Sequence, residues 1–330
     1  MSRIRFITKL FIFDIYQMNN IFNLEIYRKF NNDLYNLDDD QLIEHYNNLG
    51  KYQMRIYFEP FLFKKQIIYI YSNKFGYYIS NVLRYLLFKE FIISKIVYEI
   101  DYTNPELYII PFPQKINKFP RNYIIYQLEQ KDISKWINKK YEASILFSRK
   151  TLDYSQSNID KFDRIIRNKM IYFPIPLIPY HYLNNIIIND NPLNNILFYG
   201  SMNNIRRTKL NYLQQKLGSK YRIKIVNNLF GKRLFDEILN SKIILNIHFY
   251  KNSILETYRI NEALSCGKIV ISEKPDIIDN QNYLLYEDKV IFINNMNEMY
   301  DQIIINLEKE FYHKFYNISY NNLDFIDLFT

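Results

Sequence analysis

Short apolar segments alternate with helix-like segments over most of the chain, and this alternation constrains the fold more than any other feature. After about residue 60 the first apolar segments are Ile67–Tyr71, Lys95–Ile100, Glu106–Pro111, Asn122–Leu128 and Ala143–Ser148. Strands that alternate with helices of about 10–15 residues form right-handed βαβ units and a parallel sheet. The sequence therefore predicts a parallel sheet in this region.

The same alternation begins again at Asn195. Apolar segments there read NILFYG, YRIKIV, KIILNIHF, KIVIS and KVIFIN, with helix patterns at about Asn204–Leu217 and Arg233–Leu239, up to about Cys266, and from about Asn297. The prolines of Lys169–Pro179 cannot continue a helix and indicate a linker before this second region. Two such regions in series predict an α/β protein with two Rossmann-like domains.

The first 60 residues are polar and have a helical pattern. Leu42, Ile43 and Tyr46 follow helical spacing, Asp38–Asp40 suit an N-cap, and Gly50 suits a C-terminal stop. We therefore predict a helical module over residues 1–60, followed by domains over residues 61–182 and 183–330.

Composition narrows the class of protein. No apolar run approaches the roughly 20 residues that a membrane-spanning helix needs, so we expect no transmembrane segment, although peripheral membrane contact stays open. The single cysteine, Cys266, fits a reducing compartment and a cytoplasmic location. Four scattered histidines make a zinc site unexpected.

Positive charge is concentrated in one segment. The net charge is +9, and Gly200–Lys242 holds ten Lys or Arg residues against two Asp or Glu residues. Arg206, Arg207 and Lys209 lie at the predicted start of a helix, where the helix dipole disfavours cations and a bound anion would relieve the conflict. This pattern favours a phosphate site beside Gly200 and Ser201 over a general nucleic-acid surface.

The segment LETYRINEALSCGKIVISE (Leu255–Glu273) combines charges with a tight turn. Ser253 and Glu256 have the spacing of a capping box, and Arg259 lies three residues from each of Glu256 and Glu262. Glu262 has no capping role, and a carboxylate beside a phosphate-binding helix can accept the hydroxyls of a ribose or sugar. It is therefore the strongest candidate for a ligand contact.

The order and spacing of several segments resemble a known family. FYGSMNNIRR, SKIILNIHFY and LETYRINEALSCGKIVISE resemble the C-terminal half of a GT-B glycosyltransferase, of the group 1-like kind found in bacteria and large DNA viruses. YIIYQLEQ, YSQSNID and IYFPIPLIP resemble the N-terminal half, and Leu37–Arg55 resembles a helical module that precedes some of these enzymes. The resemblance implies two Rossmann-like domains facing across a cleft, with a final helix that crosses back.

The resemblance also implies residue roles. Glu262 would hold the donor ribose, and Gly200, Ser201, Arg206 and Arg207 would meet the donor diphosphate. Many relatives carry an earlier glutamate at the position of Ile254, so this chain departs from the family there. Asn246, Glu256 and Arg259 are the remaining candidates for donor binding.

The implied reaction is transfer of a sugar from a nucleotide-sugar to a hydroxyl of a glycan or other acceptor by a hexosyltransferase-like enzyme. No metal or cofactor is implied, and a UDP- or GDP-sugar is the expected donor. Cations would stabilise the departing diphosphate, and an inverting enzyme would need a base in its N-terminal half. Glu129, which follows a predicted strand, is the candidate base, and His248 is a second catalytic candidate.

Three alternatives remain open. Asp38–Asp40 could be the metal-binding DxD motif of a GT-A transferase, although no strand pattern precedes it. The chain could bind a nucleotide or glycan without turnover, which the isoleucine at position 254 keeps open. The basic segment Gly200–Lys242 could bind nucleic acid, with an affinity that falls steeply with salt.

Overall fold

The computed structural model describes residues 22, 24–48, 67–89, 92–184, 192, 194–276, 280–310 and 313–316. The chain divides into two compact units, with the boundary between Lys65 and Gln66. Gly50, which was predicted to end a helix, lies outside the described residues. The predicted limits of the module and of the two domains stay predictions.

In its described residues, the N-terminal unit has the helices α1 (Leu24–Phe30) and α2 (Asp39–Asn48), joined by a 3-10 turn at Asn32–Leu34. Tyr27, Leu34 and Leu42 form its small core. Ile43 was predicted on the same face as Leu42, but it is 42% exposed because it lies one residue further round the helix.

A reciprocal cap begins α2. The Asp38 carboxylate accepts a hydrogen bond from the backbone N–H of Gln41 at 2.8 Å, and the Gln41 side chain accepts one from the backbone N–H of Asp38 at 3.1 Å. This is a capping box, which satisfies two backbone donors that the helix leaves without partners. The predicted role of Asp38 as an N-cap agrees with this geometry.

In the described part of the second unit, six parallel strands form the first sheet in the order β2-β1-β3-β4-β5-β6. They are β1 (Ile68–Tyr71), β2 (Ser94–Val97), β3 (Tyr108–Pro111), β4 (Tyr123–Gln127), β5 (Thr151–Asp153) and β6 (Met170–Tyr172). The central strands β3 and β4 are buried along their whole length, which explains their continuous apolar sequence.

Five parallel strands form the second sheet in the order β11-β10-β9-β7-β8. They are β7 (Asn194–Tyr199), β8 (Ile223–Val226), β9 (Ser241–Asn246), β10 (Ile269–Glu273) and β11 (Ile291–Ile293). Two parallel sheets with helices between most of the successive strands confirm the predicted α/β class with two Rossmann-like domains.

The helices of the second unit lie between these strands. They are α3 (Tyr77–Lys89), α4 (Lys139–Phe147), α5 (Gln156–Ile159), α6 (Arg164–Arg167), α7 (Tyr180–Leu183), α8 (Asn204–Leu217), α9 (Gly231–Leu239), α10 (Thr257–Ser265), α11 (Asn280–Tyr286) and α12 (Met296–Glu308). The predicted bounds of α8 match those observed. None of the helices in the described residues has the length and apolarity to cross a bilayer.

The strand predicted at Ala143–Ser148 is wrong, because these residues continue α4. The Asn138 side chain accepts a hydrogen bond from the backbone N–H of Tyr141 at 3.1 Å and caps the helix. Tyr141 and Ile145, four residues apart, are buried on one face, whereas Phe147 is 81% exposed. A short apolar run does not distinguish a buried strand from one face of a helix.

The proline-containing segment predicted as a linker connects the two sheets, but it is buried. Ile175, Leu177 and Ile178 are each at most 4% exposed and belong to the largest hydrophobic cluster. The segment therefore contributes to the core between the sheets and is not a solvent-exposed spacer.

The two sheets share that hydrophobic cluster, which contains buried side chains from both. Tyr180 stacks on Phe235 with ring centroids 4.1 Å apart. The Tyr258 hydroxyl, on α10, donates to the backbone carbonyl of Phe75 at 2.6 Å, and the Asn261 side chain donates to the carbonyl of Ile175 at 2.8 Å. The carboxyl ends of the two sheets are thereby held facing each other.

Helix α12 packs on the second sheet through Met299 and Ile303. Lys242 donates from Nζ to the carbonyls of Leu307 and Lys309, at 3.0 and 2.6 Å. Beyond the helix, the ring of Phe315 lies 4.9 Å from that of His181, on α7. The predicted crossing of a final helix to the first domain stays a prediction, since residues 317–330 lie outside the described residues.

Candidate functional site

A cleft of about 710 Å³ lies where the carboxyl ends of the two sheets face each other. Its first wall comes from the segments that follow β1, β3 and β4, and its second wall comes from those that follow β7, β8 and β9, together with α10. The carboxyl edge of a parallel sheet is the usual ligand site in folds of this class. Of the predicted site residues, seven line this cleft: Glu129, Gly200, Ser201, Arg206, Glu256, Arg259 and Glu262.

Gly200 directly follows β7 and has a φ of +129°, which disfavours any residue with a side chain. A Cβ at this position would lie 2.9 Å from Nη2 of Arg259 and 3.4 Å from Nη1 of Arg206. Glycine is therefore required both for the backbone conformation and for the approach of two guanidinium groups.

Arg206 lies in the first turn of α8 and is 1% exposed. Its Nε donates to the carbonyl of Ile247 and its Nη1 donates to the carbonyl of Ser201, both at 2.8 Å. The guanidinium also lies 5.1 Å from the ring centroid of Phe249. Burial, together with the charge of Arg259, lowers the pKa of Arg206 to about 9. The side chain is therefore fixed in place, unlike a mobile surface cation.

Glu256 supplies the negative charge between the two arginines. One carboxylate oxygen lies 3.2 Å from Nη2 of Arg206 and also accepts from Nη1 of Arg259. The other accepts from the backbone N–H of Phe249 at 3.2 Å. Burial alone would raise the pKa of Glu256, but Arg259 and Arg206 outweigh it and lower that pKa. The anion expected beside these cations is thus partly supplied by the protein.

The capping box predicted for Ser253 and Glu256 is wrong. Helix α10 begins at Thr257, and Glu256 occupies the N-cap position without a capping hydrogen bond from its side chain. The Ser253 hydroxyl instead lies 2.6 Å from Nδ1 of His248. The two arginines compete for the Glu256 carboxylate more strongly than a helix terminus does, because they carry full charges.

Arg259 is held from two directions. Its Nη1 donates to Oδ1 of Asn246 at 3.1 Å as well as to Glu256. Asn246 is 1% exposed and donates from Nδ2 to the Ser272 hydroxyl at 2.9 Å. Asn246 does not line the cleft. It orients Arg259, whose side chain remains 17% exposed toward the cleft.

Glu262 lines the cleft from α10 and is 6% exposed. Burial raises its pKa to about 8, although Tyr199, Arg259 and Tyr258 partly oppose this. The hydroxyls of Tyr199 and Tyr258 themselves donate to backbone carbonyls of Arg259 and Phe75, at 2.9 and 2.6 Å. At neutral pH Glu262 is therefore largely a protonated acid, which can both donate and accept one hydrogen bond.

Arg207 and His248 are not brought into the cleft. Arg207 is exposed on the outer face of α8, because it follows Arg206 by one residue and points away from it. His248 is 4% exposed, bonded through Nδ1 to Ser253, and its backbone N–H donates to Glu273 at 2.9 Å. Burial lowers the pKa of His248, so its ring is neutral at neutral pH. Its position supports the loop after β9.

Glu129 lies on the first wall, two residues after β4. Its Oε2 accepts from the Ser134 hydroxyl at 2.8 Å, and burial raises its pKa, with a smaller contribution from the charge of Glu256. Its backbone carbonyl accepts from the side chains of Gln127 and Asn158. Because these two amides are themselves buried against Asp153, the position of Glu129 is fixed by the core of the first sheet.

Two features of the cleft were not predicted from the sequence. Asn228, in the segment after β8, has a φ of +58° and lies in the wall with its neighbours up to Gly231. Gln130 accepts through Oε1 from the backbone N–H of Ile254 at 3.0 Å and joins the two walls. For the segment around Asn228, the glycine that ends NNLFG was the one available hint. The contact between Gln130 and Ile254 joins residues 124 positions apart, and no local pattern indicates such a contact.

The basic segment is partly neutralised inside the second half. Besides Arg206, Lys209 pairs with Glu273, Lys224 with Glu237, and Lys232 with Asp236. Lys242 donates to backbone carbonyls at the end of α12. The cations of the segment that are exposed and form no ion pair among the described residues are Arg207, Lys216, Lys220, Arg222 and Arg233.

The aspartates considered as a metal-binding motif have other partners in the N-terminal unit. Asp38 caps α2, and Asp39 forms an ion pair with Arg28 at 2.5 Å. Across the described residues, no group of three or more His, Cys, Asp or Glu side chains is arranged to hold a metal ion. The structure thus supports the capping interpretation of this triplet.

No family model matches the chain, and no curated protein matches it by sequence. Among solved structures it is similar to an alpha-glucosyltransferase in complex with UDP and a 13-mer DNA containing an HMU base. That likeness covers 73% of this chain and 89% of the other, at 10% identity and a TM-score of 0.50.

Weaker similarities extend to other glycosyltransferases. An alpha1,3-fucosyltransferase is 11% identical over 82% of this chain and 91% of its own, with a TM-score of 0.41. WaaG, described as a glycosyltransferase involved in lipopolysaccharide biosynthesis, is 10% identical over 74% and 90%, with a TM-score of 0.43. The two facing parallel sheets and the likeness to the alpha-glucosyltransferase together show that this chain has the GT-B fold of glycosyltransferase structures.

Proposed function

We propose that the protein is a glycosyltransferase that moves a sugar from a nucleotide-sugar donor to a hydroxyl of a glycan or another acceptor. The observation that carries the proposal is the second wall of the cleft, where two guanidinium groups and a buried glutamate meet at the carboxyl edge of a parallel sheet. The fold that the chain shares with glycosyltransferases agrees with it.

The donor diphosphate lies against Arg259 in this proposal. Arg259 is the more exposed of the two arginines, at 17% against 1% for Arg206, and its Nη2 approaches Gly200. Glu256 and Asn246 hold the guanidinium in position before any ligand arrives. Fixed cations stabilise the charge that a departing diphosphate gains without having to reorganise.

Glu262 contacts the donor ribose, as the resemblance to GT-B enzymes implies. A protonated carboxyl group donates one hydrogen bond and accepts another, which suits a pair of sugar hydroxyls. The raised pKa of about 8 keeps that donor available at neutral pH. Ser201, beside Gly200, completes the donor side of the cleft.

Glu129 is the proposed base on the acceptor side. Burial raises its pKa toward the working range of a general base, and its backbone is fixed by buried amides. The Ser134 hydroxyl, bonded to Oε2, orients the carboxylate. His248, which lies outside the cleft, is retained only as a residue that supports the second wall.

We propose that transfer needs no metal ion and no cofactor beyond the donor, because the paired arginines supply positive charge where the leaving group departs. Activity unchanged by EDTA would support this, and activity restored only by Mg²⁺ or Mn²⁺ would contradict it. We also propose a cytoplasmic location, since Cys266 is free and buried.

The test of the donor site uses the single tryptophan of the chain. Trp136 lines the cleft and is 37% exposed, so its fluorescence reports on ligands bound there. Titration with UDP, GDP, ADP, CMP and dTDP and their sugars should give saturable quenching with one of them. Arg259→Gln should weaken that binding by about tenfold or more, by loss of a charged hydrogen bond. Glu262→Ala should also weaken it, by loss of the hydrogen bonds to the ribose.

Arg164→Gln is the matched control, because Arg164 is exposed on α6 and its loss changes the net charge equally. Saturable binding that all three variants retain would place the nucleotide elsewhere. No response to any nucleotide, in fluorescence or in melting temperature, would contradict the proposed donor site.

A non-catalytic binding protein of the same fold is the alternative that one observation favours. Ile254, at the position where many relatives carry a glutamate, is 1% exposed and supplies only a backbone N–H, to Gln130. Nucleotide-sugar binding without transfer or hydrolysis, over a broad panel of acceptors, would favour this alternative.

A nucleic-acid acceptor is a further outcome of the acceptor panel, since the similar alpha-glucosyltransferase was crystallised with DNA. The ion pairs of Lys209, Lys224 and Lys232 reduce the positive charge of the basic segment, which supports the expectation that nucleic acid is not a partner. Affinity for a generic DNA duplex that falls steeply with salt and is lost in Arg207→Gln would overturn that expectation.

A further inference from the structure

A second pocket lies in the N-terminal half, between α3 and the edge strand β2, and it is distinct from the cleft. Its volume of about 390 Å³ falls within the range of small-ligand sites. Tyr77 lines both cavities. The pocket is not part of the donor wall described above.

Two cations line this pocket: Arg84 from α3 and Lys95 from β2. Among the described residues no carboxylate lines it, and neither cation forms an ion pair. Arg84 is partly buried, and burial lowers its pKa. A partly buried guanidinium without a counter-ion is unfavourable, and a bound anion would remove that cost.

Asn184 also lines the pocket. The Tyr77 hydroxyl donates to Oδ1 of Asn184 at 3.3 Å. Its Nδ2 is buried and has no hydrogen-bond partner within the described part of the chain. Because this nitrogen is closed off from solvent, a bound anion would contact the two cations and not this amide nitrogen.

We propose that this pocket binds a phosphate group, held by the guanidinium of Arg84 and the ammonium of Lys95. Two cations without a carboxylate partner match a group with several charged oxygens, since arginine and lysine both bind phosphate strongly. Ser72 and Asn81, which also line the pocket, add further polar groups. This site does not depend on the function proposed for the cleft.

The phosphate belongs either to a small phosphorylated sugar or to the free ion, and one experiment distinguishes the two. Binding of inorganic phosphate and of glucose 6-phosphate is measured by calorimetry at constant ionic strength. We expect saturable binding that Arg84→Gln weakens by about tenfold or more, and Lys95→Gln by a smaller factor because Lys95 is exposed. Tighter binding of the sugar phosphate assigns the pocket to a phosphorylated sugar, and equal binding assigns it to the free ion.

Two controls separate this site from the surface and from the cleft. Arg164→Gln, with the same change of charge on an exposed helix, should bind phosphate as the wild type does. Arg259→Gln should also retain it, so that failure of the donor site leaves this result unaffected. Lys95→Gln keeps the test available if Arg84→Gln fails to fold.

Three results would overturn the proposal. They are the absence of saturable binding for both ligands, binding that Arg84→Gln and Lys95→Gln leave unchanged, and binding that Arg164→Gln weakens as much as Lys95→Gln does.

Discussion

The two walls of the cleft are built in different ways. On the second wall, Arg206, Glu256 and Arg259 contact one another, and each depends on the others for charge balance. On the first wall, Glu129 is held by hydroxyl and amide groups, and the other lining groups include aromatic rings such as those of Phe75 and Trp136.

This difference indicates a division of work. A wall of mutually paired charges is rigid before a ligand binds and suits a diphosphate of fixed geometry. On the first wall, Lys74, Lys135 and Glu129 form no ion pair among the described residues and lie among aromatic rings. A wall of this kind tolerates varied shapes and suits an acceptor. Four substitutions test the comparison, from the largest expected effect to the smallest.

Removing the shared carboxylate should have the largest effect. Glu256→Ala leaves two guanidinium groups close together without a counter-ion, and breaking a buried pair costs about 3–5 kcal/mol of unfolding free energy. Glu142→Ala is the matched control on the first half, where Glu142 pairs with Lys131 and both side chains are 22% exposed. It should cost at most about 1 kcal/mol.

Urea unfolding monitored by circular dichroism measures both values. Equal losses would mean that the charges of the second wall are no more interdependent than an ordinary surface pair.

Gly200→Ala should be the next most disruptive. The new Cβ meets Arg259 at 2.9 Å in a backbone conformation that disfavours side chains, and we expect a loss of about 1–3 kcal/mol together with weaker nucleotide binding. Gly218→Ala provides the comparison, because Gly218 also has a positive φ but no atom lies within 4 Å of its added Cβ.

Gly218→Ala should therefore show backbone strain alone, of about 1 kcal/mol, with nucleotide binding intact. If it impairs binding as strongly as Gly200→Ala, the contact with Arg259 is not the cause.

Glu262→Gln should change how stability depends on pH. Burial raises the pKa of Glu262 from 4.5 to about 8, so between these values the folded state binds a proton that the unfolded state releases. The unfolding free energy of the wild type therefore falls as pH rises through this window. Glutamine cannot ionise, so the unfolding free energy of the variant should not show this fall. Compared with the wild type, the variant should therefore be more stable at pH 8 than it is at pH 5, by at least about 1 kcal/mol.

Urea unfolding at pH 5, 6, 7 and 8 checks this, with Glu287→Gln on the exposed surface as the control for loss of a carboxylate. Parallel curves for Glu262→Gln and wild type would show that Glu262 is ionised in the folded protein.

Tyr258→Phe should have the smallest effect of the four. It removes the hydroxyl that joins α10 to the backbone carbonyl of Phe75, and the loss of one such bond costs about 1 kcal/mol. Tyr199→Phe removes a comparable bond within the second half, to the carbonyl of Arg259. If contacts between the walls contribute to stability, differential scanning calorimetry should show a larger decrease in melting temperature for Tyr258→Phe than for Tyr199→Phe.

Much of the fold was predictable because its strands are buried and its helices amphipathic. NILFYG and KIILNIHF become the central strands of the second sheet, and α8 has the predicted bounds. The errors fall where the pattern is short. Ala143–Ser148 is apolar on a helix face, and β5 and β6 have three residues each, which is too few to show a period.

The site was predictable to a lesser degree. Sequence reasoning placed Glu262 near a ligand because no local role explained it, and left Arg259 between an ion pair and a donor contact. Both residues line the cleft, and Arg259 also pairs with Glu256. It did not predict that Glu256 pairs with Arg206 across 50 residues, since a capping box was a sufficient local explanation. Contacts between distant segments are set by how the sheets pack, which no short pattern encodes.

The hydrophobic cluster that both sheets share has a thermodynamic consequence. Because side chains of each half complete the core of the other, neither half retains its buried surface when the other unfolds. We therefore expect the region from β1 to α12 to melt in a single cooperative transition, with equal calorimetric and van't Hoff enthalpies. A destabilising substitution far from the cleft, in either sheet, would then lower the fraction of molecules in which both walls are folded.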